Sequence, residues 1–355
     1  MRALVLSEHD LDDWRARYDL GERPTPLPYG VEALAEVGYR LGSARLPGDR
    51  AFTKLRTVVE HRLGYPVART LLSVPKASGA DVVLALLEGQ GRAAAWAKGH
   101  RLPPYARTPL VIWSCWLADD LSRLPAHDRR AYVATMRHAD LVTHLAESET
   151  GILLDSGFSA EQLFAVTYGA AKDFYTPDPA AAQDLDIVAV GQDRGRDYRT
   201  LVEAVRGTGL KVDVWCKPGN LDGLDLPANV TVHAPVDHVT YREALRRAKV
   251  VAVPTVELAY PTGSSVTLEA ASCGACVVTS STRSMREYVT DGVTGRLVDV
   301  GDVDGWRHTL AALLGDARER ARLGAAARAR IEERNNTRFM WHELAGVLRD
   351  RGVVK

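Results

Sequence analysis

One continuous segment, residues 250–298, constrains the fold more than any other part of the chain. It begins with the apolar run Val250–Pro254, which is typical of a buried strand. A loop rich in Pro, Gly and Ser follows, and then a helix-like run that ends at Gly274, where glycine can adopt the left-handed cap conformation. A second short strand, Ala275–Thr279, comes directly after. A strand, a glycine-bearing loop and a helix start place backbone N–H groups where an anion binds, so the segment predicts an α/β unit with an anion site.

Short apolar runs separated by helix-permissive segments recur along the whole chain. Alternation of this kind is typical of open parallel sheets covered on both faces. The sequence therefore predicts an α/β protein with two doubly wound, Rossmann-like parallel-sheet domains that face each other across a cleft. The predicted strands of the first half are Ala3–Leu6, Val82–Leu86, Leu110–Trp113 and Leu141–His144. Those of the second half are Asp186–Val190, Lys211–Trp215, Val230–His233, Val250–Val253, Cys276–Thr279 and Gly295–Val298.

The domain boundaries are predicted from length and from proline-rich segments. A chain of 355 residues is long enough for two domains, each with its own core. The segment Phe174–Ala180 contains two prolines and predicts a linker. We therefore expect domains over residues 1–175 and 176–335, and a C-terminal helix over 336–355 that packs back toward the first domain. The proline-rich segment 23–30 predicts a long loop before a helix over Val31–Leu41.

Composition excludes several classes of protein. Lys+Arg and Asp+Glu are both 45, so no global field attracts nucleic acid, and no nucleic-acid partner is expected. No stretch approaches the ~20 apolar residues that cross a bilayer, and the apolar run at residues 1–6 is too short for a signal peptide. We expect a cytoplasmic protein, and peripheral membrane association if its substrate is a lipid.

The four cysteines are too few for a disulfide framework in this chain, and the pair Cys273 and Cys276 is interpreted as buried apolar side chains. The composition, rich in Arg, Ala and Asp, is typical of a high-GC bacterium.

The loop after the first strand of the second half is the first candidate for holding a diphosphate. Gly191 at the strand end allows a ligand to approach the backbone closely. Arg194 and Arg196 follow, and their guanidinium groups can bind phosphate oxygens with forked hydrogen bonds. The alternative is a solvated loop in which these arginines pair with Asp193 or Asp197.

Further candidate residues come from the ends of other strands and from the helix near residue 264. Lys217 follows the next strand and is either a phosphate contact or a surface lysine, and His233 ends the third strand, where its backbone can meet a base edge. Glu269 lies among apolar helix residues and needs a polar partner, which ribose hydroxyls would supply; an exposed helix glutamate is the alternative. The predicted anion contacts at the helix start are Gly263, Ser264, Ser265 and Val266. Together with Gly191, Arg194, Arg196, Lys217, His233 and Glu269, these residues form the predicted donor site, and no metal-ligand cluster is predicted.

The second half resembles the nucleotide-binding domain of family-4 (group 1) glycosyltransferases, which are retaining enzymes of the GT-B fold. The run from Leu268 to Val278 resembles the Glu-Ala-x-Ala-x-Gly-x-Pro-Val end of that family's Glu-x7-Glu motif. The run from Met285 to Val298 resembles its Glu-x4-Gly-x2-Gly-x2-Val stretch. In the loop after Gly191, Arg196 matches the family's diphosphate-binding lysine with one residue deleted. The resemblance covers about residues 139–345, and the first 138 residues mainly in architecture.

Two positions depart from the family pattern. The first glutamate of the Glu-x7-Glu motif falls on Pro261, within Tyr260-Pro-Thr-Gly263, so the donor-sugar contacts differ. Gln192 stands in place of the family's arginine, and Arg194 is expected to compensate.

The resemblance implies a glycosyltransferase that moves a sugar from a nucleotide-diphosphate sugar to an acceptor hydroxyl, with retention of configuration and without a metal. Residues 1–175 would bind the acceptor and residues 176–335 the nucleotide sugar. Arg196 and Glu269 would be the catalytic residues, since charge that develops on the leaving phosphate needs fixed positive partners. No cofactor is expected besides the donor, and the acceptor is a glycan, a lipid-linked sugar or a secondary metabolite.

Other functions are compatible with the same fold class. A nicotinamide dehydrogenase is disfavoured because no Gly-x-Gly-x-x-Gly stands between a first strand and a helix. A sugar-nucleotide epimerase would turn over the donor without an acceptor, and a binding-only protein of the GT-B fold would release no nucleoside diphosphate. Both alternatives remain open from the sequence.

Overall fold

The computed structural model describes residues 1–354, and it divides into two compact units. Unit 1 contains residues 1–20, 25–167 and the chain from Trp341 onward. Unit 2 contains residues 21–24 and 168–340. Each unit is built around one parallel sheet of six strands, so the predicted pair of doubly wound α/β domains is confirmed.

Unit 1 carries the first six strands in the order β2-β1-β3-β4-β5-β6. Every side chain of β3, β4 and β5 is buried, as expected for parallel strands covered on both faces. The strands are β1 Arg2–Leu6, β2 Arg40–Gly42, β3 Val82–Leu86, β4 Leu110–Trp113, β5 Leu141–His144 and β6 Leu163–Ala165. The helices are α1 Leu11–Asp19, α2 Arg50–Leu63, α3 Ala68–Leu72, α4 Val74–Ala77, α5 Glu88–Gly99, α6 Leu117–Arg123, α7 Ala126–Met136 and α8 Thr150–Ser156.

Unit 2 carries the other six strands in the order β12-β11-β10-β7-β8-β9. Read from β9, this is the 3-2-1-4-5-6 order of a dinucleotide-binding sheet, whose strand order reverses between β7 and β10. The strands are β7 Leu185–Val190, β8 Val212–Trp215, β9 Val230–His233, β10 Ala248–Val253, β11 Cys276–Ser280 and β12 Arg296–Val298. The helices are α9 Tyr198–Val205, α10 His238–Arg247, α11 Ser264–Ser272, α12 Val303–Gly315, α13 Ala317–Glu333 and α14 Thr337–Asp350. The last helix, α14, begins in unit 2, and its residues from Trp341 on belong to unit 1.

Aspartate caps fix where several of these helices begin. The Asp197 side chain accepts a hydrogen bond from Thr200 N at the start of α9, and the Asp237 side chain accepts one from Thr240 N at the start of α10. At the other end of α11, Gly274 has a φ of +76°, which confirms the predicted left-handed turn into β11.

The predicted helix over Val31–Leu41 is wrong. A 3-10 segment, Pro28–Val37, occupies most of that range, with Tyr29 and Gly30 at positive φ inside it. It ends at Gly38, and the chain then enters β2, the short edge strand that pairs with β1. The left-handed backbone at Tyr29 and Gly30, and again at Gly38, interrupts a regular α-helix here.

The proline-rich segment Phe174–Ala180 does not separate the two units. The division falls between Thr167 and Tyr168, so the whole segment lies inside unit 2. Tyr175 is only 1% exposed and packs in the core of that unit with residues of β10 and α11. The Tyr175 side chain thus anchors the segment in unit 2.

No helix in residues 1–354 combines the length and the apolar character needed to cross a bilayer.

Candidate functional site

The candidate site lies where the strand order of the second sheet reverses. Ligands of open α/β sheets bind at the carboxyl ends of the strands at this point. The loop after β7 and the loop after β10 are held together by backbone hydrogen bonds. Asp197 N donates to Pro254 O at 3.0 Å, and Val256 N donates to Gly195 O at 3.0 Å. The two loops therefore form one fixed rim.

A cavity of about 320 Å³ opens at this rim, entirely within unit 2. Its walls come from the ends of β7 and β8, the loop after β7, the loop before α10, helix α10 and the first turns of α11. The lining residues are Tyr175, Val190, Gly191, Gln192, Asp193, Arg196, Trp215, Pro235, Val236, His238, Tyr241, Ser265, Val266 and Glu269. Five of the predicted site residues are among them: Gly191, Arg196, Ser265, Val266 and Glu269.

Arg196 is the principal cation of the cavity. Its side chain is only 3% exposed, and its Nε and Nη1 atoms lack a hydrogen-bond partner within residues 1–354. Its nearest carboxylate is that of Asp193, with 3.5 Å between Nε and Oδ1. The two side chains therefore form an ion pair, as the alternative interpretation of this loop expected, but Arg196 Nε makes no hydrogen bond. Asp193 also accepts hydrogen bonds from Gly195 N and from Thr262 Oγ1. A guanidinium that is buried with unsatisfied donors costs stability unless an anion binds it.

Two glycines make room for the Arg196 side chain. An ideal Cβ on Gly191 would stand 2.0 Å from Arg196 Nε, and one on Gly263 would stand 3.0 Å from Nη1. Both glycines also have positive φ, +153° and +87°. A side chain on Gly191 would displace the guanidinium, and one on Gly263 would collide with Val253 Cγ1 at 2.6 Å beside it, so glycine is required at both positions for the shape of the site.

The amino end of α11 faces the same cavity. Gly263 is its N-cap residue and supplies no side-chain cap, and Ser265 and Val266 line the cavity. The N–H groups of a first helical turn have no partner inside the helix and carry the positive end of its dipole. Ser264 differs from the prediction, because its N–H donates to Pro261 O at 3.1 Å and is not available to a ligand. The helix therefore offers the Ser265 and Val266 N–H groups to an anion.

Glu269 lies about one turn further along α11 and is half-buried in the cavity wall. The Tyr241 hydroxyl of α10 donates a hydrogen bond to Glu269 Oε2 at 2.8 Å. Burial raises the pKa of Glu269 to about 7, although hydrogen bonding from Tyr241 and the charge of Arg196 oppose the rise. The alternative of an exposed helix glutamate is therefore excluded. Tyr241 supplies the polar partner that a glutamate among apolar residues was expected to need.

Two aromatic residues complete this wall. The Tyr175 and Tyr241 rings meet edge to face with centroids 5.9 Å apart. The Tyr175 hydroxyl is 3.2 Å from His238 Nδ1. Burial lowers the pKa of His238 and raises the pKa of Tyr241 well above its usual value, so both groups are neutral near pH 7.

The other predicted residues do not line the cavity. Arg194 and Lys217 are exposed, one in the loop after β7 and one directly after β8. The His233 imidazole Nε2 lies 2.7 Å from Asp213 Oδ1, and its ring stacks on Trp215 with centroids 4.3 Å apart. His233 thus supports Trp215, whose ring is the part of this pair that faces the cavity.

Sequence reasoning missed Tyr175, Tyr241 and His238 as site residues. One signal was available for two of them: Asp237 is a helix-capping residue type, and a helix from residue 238 places His238 and Tyr241 three residues apart on one face. Nothing local marks Tyr175, which reaches the cavity from the extended segment before β7.

At the strand ends of unit 1, Glu88 is 5% exposed. Its Oε2 accepts hydrogen bonds from Ser114 Oγ and Cys115 N, both at 3.1 Å. Burial raises the pKa of this carboxyl. Its neighbour in sequence, Leu87, has a φ of +75°, a backbone conformation that non-glycine residues rarely adopt. This carboxylate ties the end of β4 to the start of α5.

Solved structures with the same fold are glycosyltransferases and related enzymes. The chain superimposes on Anabaena HepE in complex with UDP-glucose with a TM-score of 0.71 at 16% identity, covering 99% of this chain and all of that one. Sucrose-phosphate synthase from Thermosynechococcus elongatus gives a TM-score of 0.71 at 18% identity over 98% of each chain. The two six-stranded sheets and these neighbours define the GT-B fold, as predicted.

Residues 220–330, all within unit 2, match the model of the family described as Glycosyl transferases group 1. Curated relatives match between a third and a half of the chain. A D-inositol 3-phosphate glycosyltransferase from Xylanimonas cellulosilytica is 40% identical over 121 residues, 34% of this chain and 27% of that protein. Another from Salinispora tropica is 32% identical over 167 residues, 46% of this chain and 30% of that protein. The matched region thus spans less than a third of the length of either relative.

Proposed function

We propose that this protein is a glycosyltransferase that moves a sugar from a nucleoside-diphosphate sugar to an acceptor hydroxyl, with retention of configuration. The observation that carries the proposal is Arg196, a buried guanidinium with two unsatisfied nitrogen atoms in a cavity at the switch point of a GT-B sheet. The group 1 domain match over residues 220–330 supports the same reaction class.

The site has the charge that the bond-breaking step requires. Cleavage of a sugar–diphosphate bond transfers an electron pair to the diphosphate oxygen, and negative charge develops there. Arg196, Ser265 and Val266 line the same cavity, and we propose that the guanidinium and the two backbone N–H groups bind that oxygen. Fixed donors of this kind stabilise a developing anion without reorganising during the reaction. We therefore propose that Arg196 is catalytic and that the leaving group departs without a metal ion.

Glu269 fits the hydroxyl groups of the donor. Its Oε2 is already oriented by Tyr241, and the carboxylate retains further acceptor sites on the cavity side. We propose that it binds the ribose hydroxyls and fixes the donor relative to Arg196. Trp215, backed by His233, would pack against the nucleoside.

The substrates define the remaining parts of the proposal. The donor is a nucleoside-diphosphate sugar, with UDP-sugars as the first to test because a structural neighbour was solved with UDP-glucose. The acceptor is a hydroxyl of a glycan, a lipid-linked sugar or a secondary metabolite. We also infer a cytoplasmic location, where the four free cysteines, three of them buried, stay reduced.

Transfer assays with a panel of nucleotide sugars and acceptors test this function. We expect release of nucleoside diphosphate that depends on the acceptor, survives excess EDTA and yields an α-linked product from an α-linked donor by NMR. Epimerised nucleotide sugar without acceptor would favour the epimerase. Nucleotide binding with no turnover by any acceptor in the panel would favour a binding-only protein.

A further inference from the structure

Helix α2 in unit 1 has an unusual environment. None of its 14 residues is buried, although most helices of this protein bury several. Both of its ends are well defined: the Asp49 side chain accepts a hydrogen bond from Phe52 N at 2.8 Å, and Gly64 ends the helix at a φ of +73°. The helix is therefore fixed at both termini while its sides remain open to solvent.

The apolar residues of α2 form one stripe, and that stripe is exposed. At 100° per residue, Leu55, Val59 and Leu63 lie on one face, with Val58 beside them. Their exposed fractions are 64%, 37%, 46% and 48%. A stripe with this spacing normally packs on a core, so its exposure indicates that something outside the described chain covers it.

Further exposed apolar side chains follow α2 along the chain. Leu71 and Leu72, at the end of α3, are 66% and 40% exposed. Six of the eighteen large apolar side chains that are exposed among residues 1–354 thus fall within residues 55–72. This concentration distinguishes the segment from the scattered exposed residues that every protein has.

The charged residues of α2 are mostly cationic and lie on the stripe or along one side of it. Arg50, Lys54 and Arg62 are exposed. The one carboxylate, Glu60, is turned inward, where its Oε1 accepts hydrogen bonds from Val67 N and Ala68 N at 2.9 and 3.0 Å. The whole chain has no net charge, so this positive surface is a local feature.

We propose that α2, together with Leu71 and Leu72, docks this protein on a membrane surface that carries anionic lipids. A short helix with a solvent-facing apolar stripe and cationic flanks is suited to lie in the plane of the lipid headgroups. The apolar side chains enter the boundary of the acyl chains, and the arginine and lysine head groups reach the lipid phosphates. The charge complementarity favours anionic lipid over an apolar protein partner. The inference does not rest on the proposed transferase function.

Sedimentation with lipid vesicles tests the inference on the full chain. Vesicles of phosphatidylcholine alone are compared with vesicles that contain about a third phosphatidylglycerol, at low and at high salt. We expect the protein to sediment with the anionic vesicles, at least tenfold more weakly in high salt, and not with phosphatidylcholine alone. Absence of sedimentation with the anionic vesicles would overturn the proposal.

Two variants separate the apolar and cationic contributions. The double variant Leu55→Asp/Val59→Asp and the triple variant Arg50→Gln/Lys54→Gln/Arg62→Gln should each reduce the bound fraction at least tenfold. The matched control Leu154→Asp, at a 41% exposed apolar residue on α8, should bind as the wild type does. Because all these side chains are exposed, the thermal unfolding midpoint should stay unchanged. Equal binding by the wild type and the double variant would refute the assignment to α2.

Light scattering after size-exclusion chromatography tests whether a second copy of this chain, rather than a membrane, covers the stripe. A monomer in both the wild type and Leu55→Asp/Val59→Asp agrees with a membrane surface. A wild-type dimer that the double variant converts to monomer would overturn the proposal in favour of self-association through this stripe.

Discussion

The guanidinium of Arg196 occupies the space that a side chain on Gly191 would need, since an ideal Cβ there would stand 2.0 Å from Arg196 Nε. Gly191→Ala should therefore push the guanidinium out of the cavity. We expect the affinity for nucleoside diphosphate to fall at least tenfold, measured by isothermal titration calorimetry. Stability should fall by only about 1–2 kcal/mol, because the colliding atoms belong to a side chain and the rest of the cost is backbone strain.

Gly209→Ala is the matched control for that variant. Gly209 has open space around its Cα and no left-handed backbone, so an alanine there meets no neighbour. The control should bind nucleotide as the wild type does. If Gly191→Ala also binds normally, Arg196 does not contact the diphosphate from its observed position.

The buried carboxyl of Glu269 predicts a pH-dependent contribution to stability. Burial raises its pKa from 4.5 to about 7, so between these values the folded protein keeps a proton that the unfolded chain releases. This contribution is fully present below about pH 4.5 and is lost as the pH rises through about 7. In Glu269→Gln the neutral amide carries no such cost. The free energy of unfolding of this variant, relative to wild type, should therefore rise by on the order of 2 kcal/mol between about pH 5 and about pH 8.

Urea unfolding at the two pH values measures this difference. Titration of other groups is common to the wild type and Glu269→Gln, so it cancels when the two proteins are compared at each pH. A difference in unfolding free energy that stays constant with pH would mean that Glu269 has an ordinary pKa.

Two helical glycines should respond to alanine with opposite signs. An ideal Cβ on Gly324 in α13 would stand 2.1 Å from the carbonyl oxygen of Gly274, which is backbone at the turn between α11 and β11. Gly324→Ala should therefore destabilise the protein by at least about 2 kcal/mol. Gly346 in α14 has no atom within 4 Å of its Cβ position, so Gly346→Ala should stabilise by up to about 1 kcal/mol through helix propensity.

Thermal unfolding of both glycine variants distinguishes the effect of a steric clash from the effect of helix propensity. Gly324→Ala should lower the unfolding midpoint and Gly346→Ala should raise it. A rise for both variants would show that α13 can move away from the turn at Gly274 at little cost.

The buried strands were predictable from the sequence because they carry their own signal. The bounds of Val82–Leu86, Leu110–Trp113 and Leu141–His144 agree with the structure residue for residue. Each is a continuous apolar run, as parallel strands covered on both faces must be. The edge strand β2, Arg40–Gly42, was missed because its polar, glycine-containing run has no such pattern and is set by pairing with β1.

The site was predictable where one loop or one helix end determines it. Gly191, Arg196, Ser265, Val266 and Glu269 all line the cavity. Arg194 and Lys217 were predicted from their positions after strand ends, but both side chains are exposed. A position in a strand-end loop does not determine the direction in which a long side chain points.

Contacts between distant segments account for the rest of the site. Tyr241 meets Glu269 across 28 residues of sequence, and Tyr175 meets His238 across 63. Such pairs follow from tertiary packing and leave no local pattern.

Calorimetric titration of UDP, GDP and ADP tests whether Arg196 holds the diphosphate of a nucleotide. The comparison is between wild type, Arg196→Ala and the matched control Arg199→Ala, whose arginine is exposed three residues further along the chain. We predict that at least one nucleotide binds the wild type and Arg199→Ala with equal affinity, and binds Arg196→Ala at least a hundredfold more weakly, since a charged hydrogen-bonding pair is lost. Equal affinity of Arg196→Ala and wild type, or no binding of any of the three nucleotides to the wild type, would contradict this account of the site.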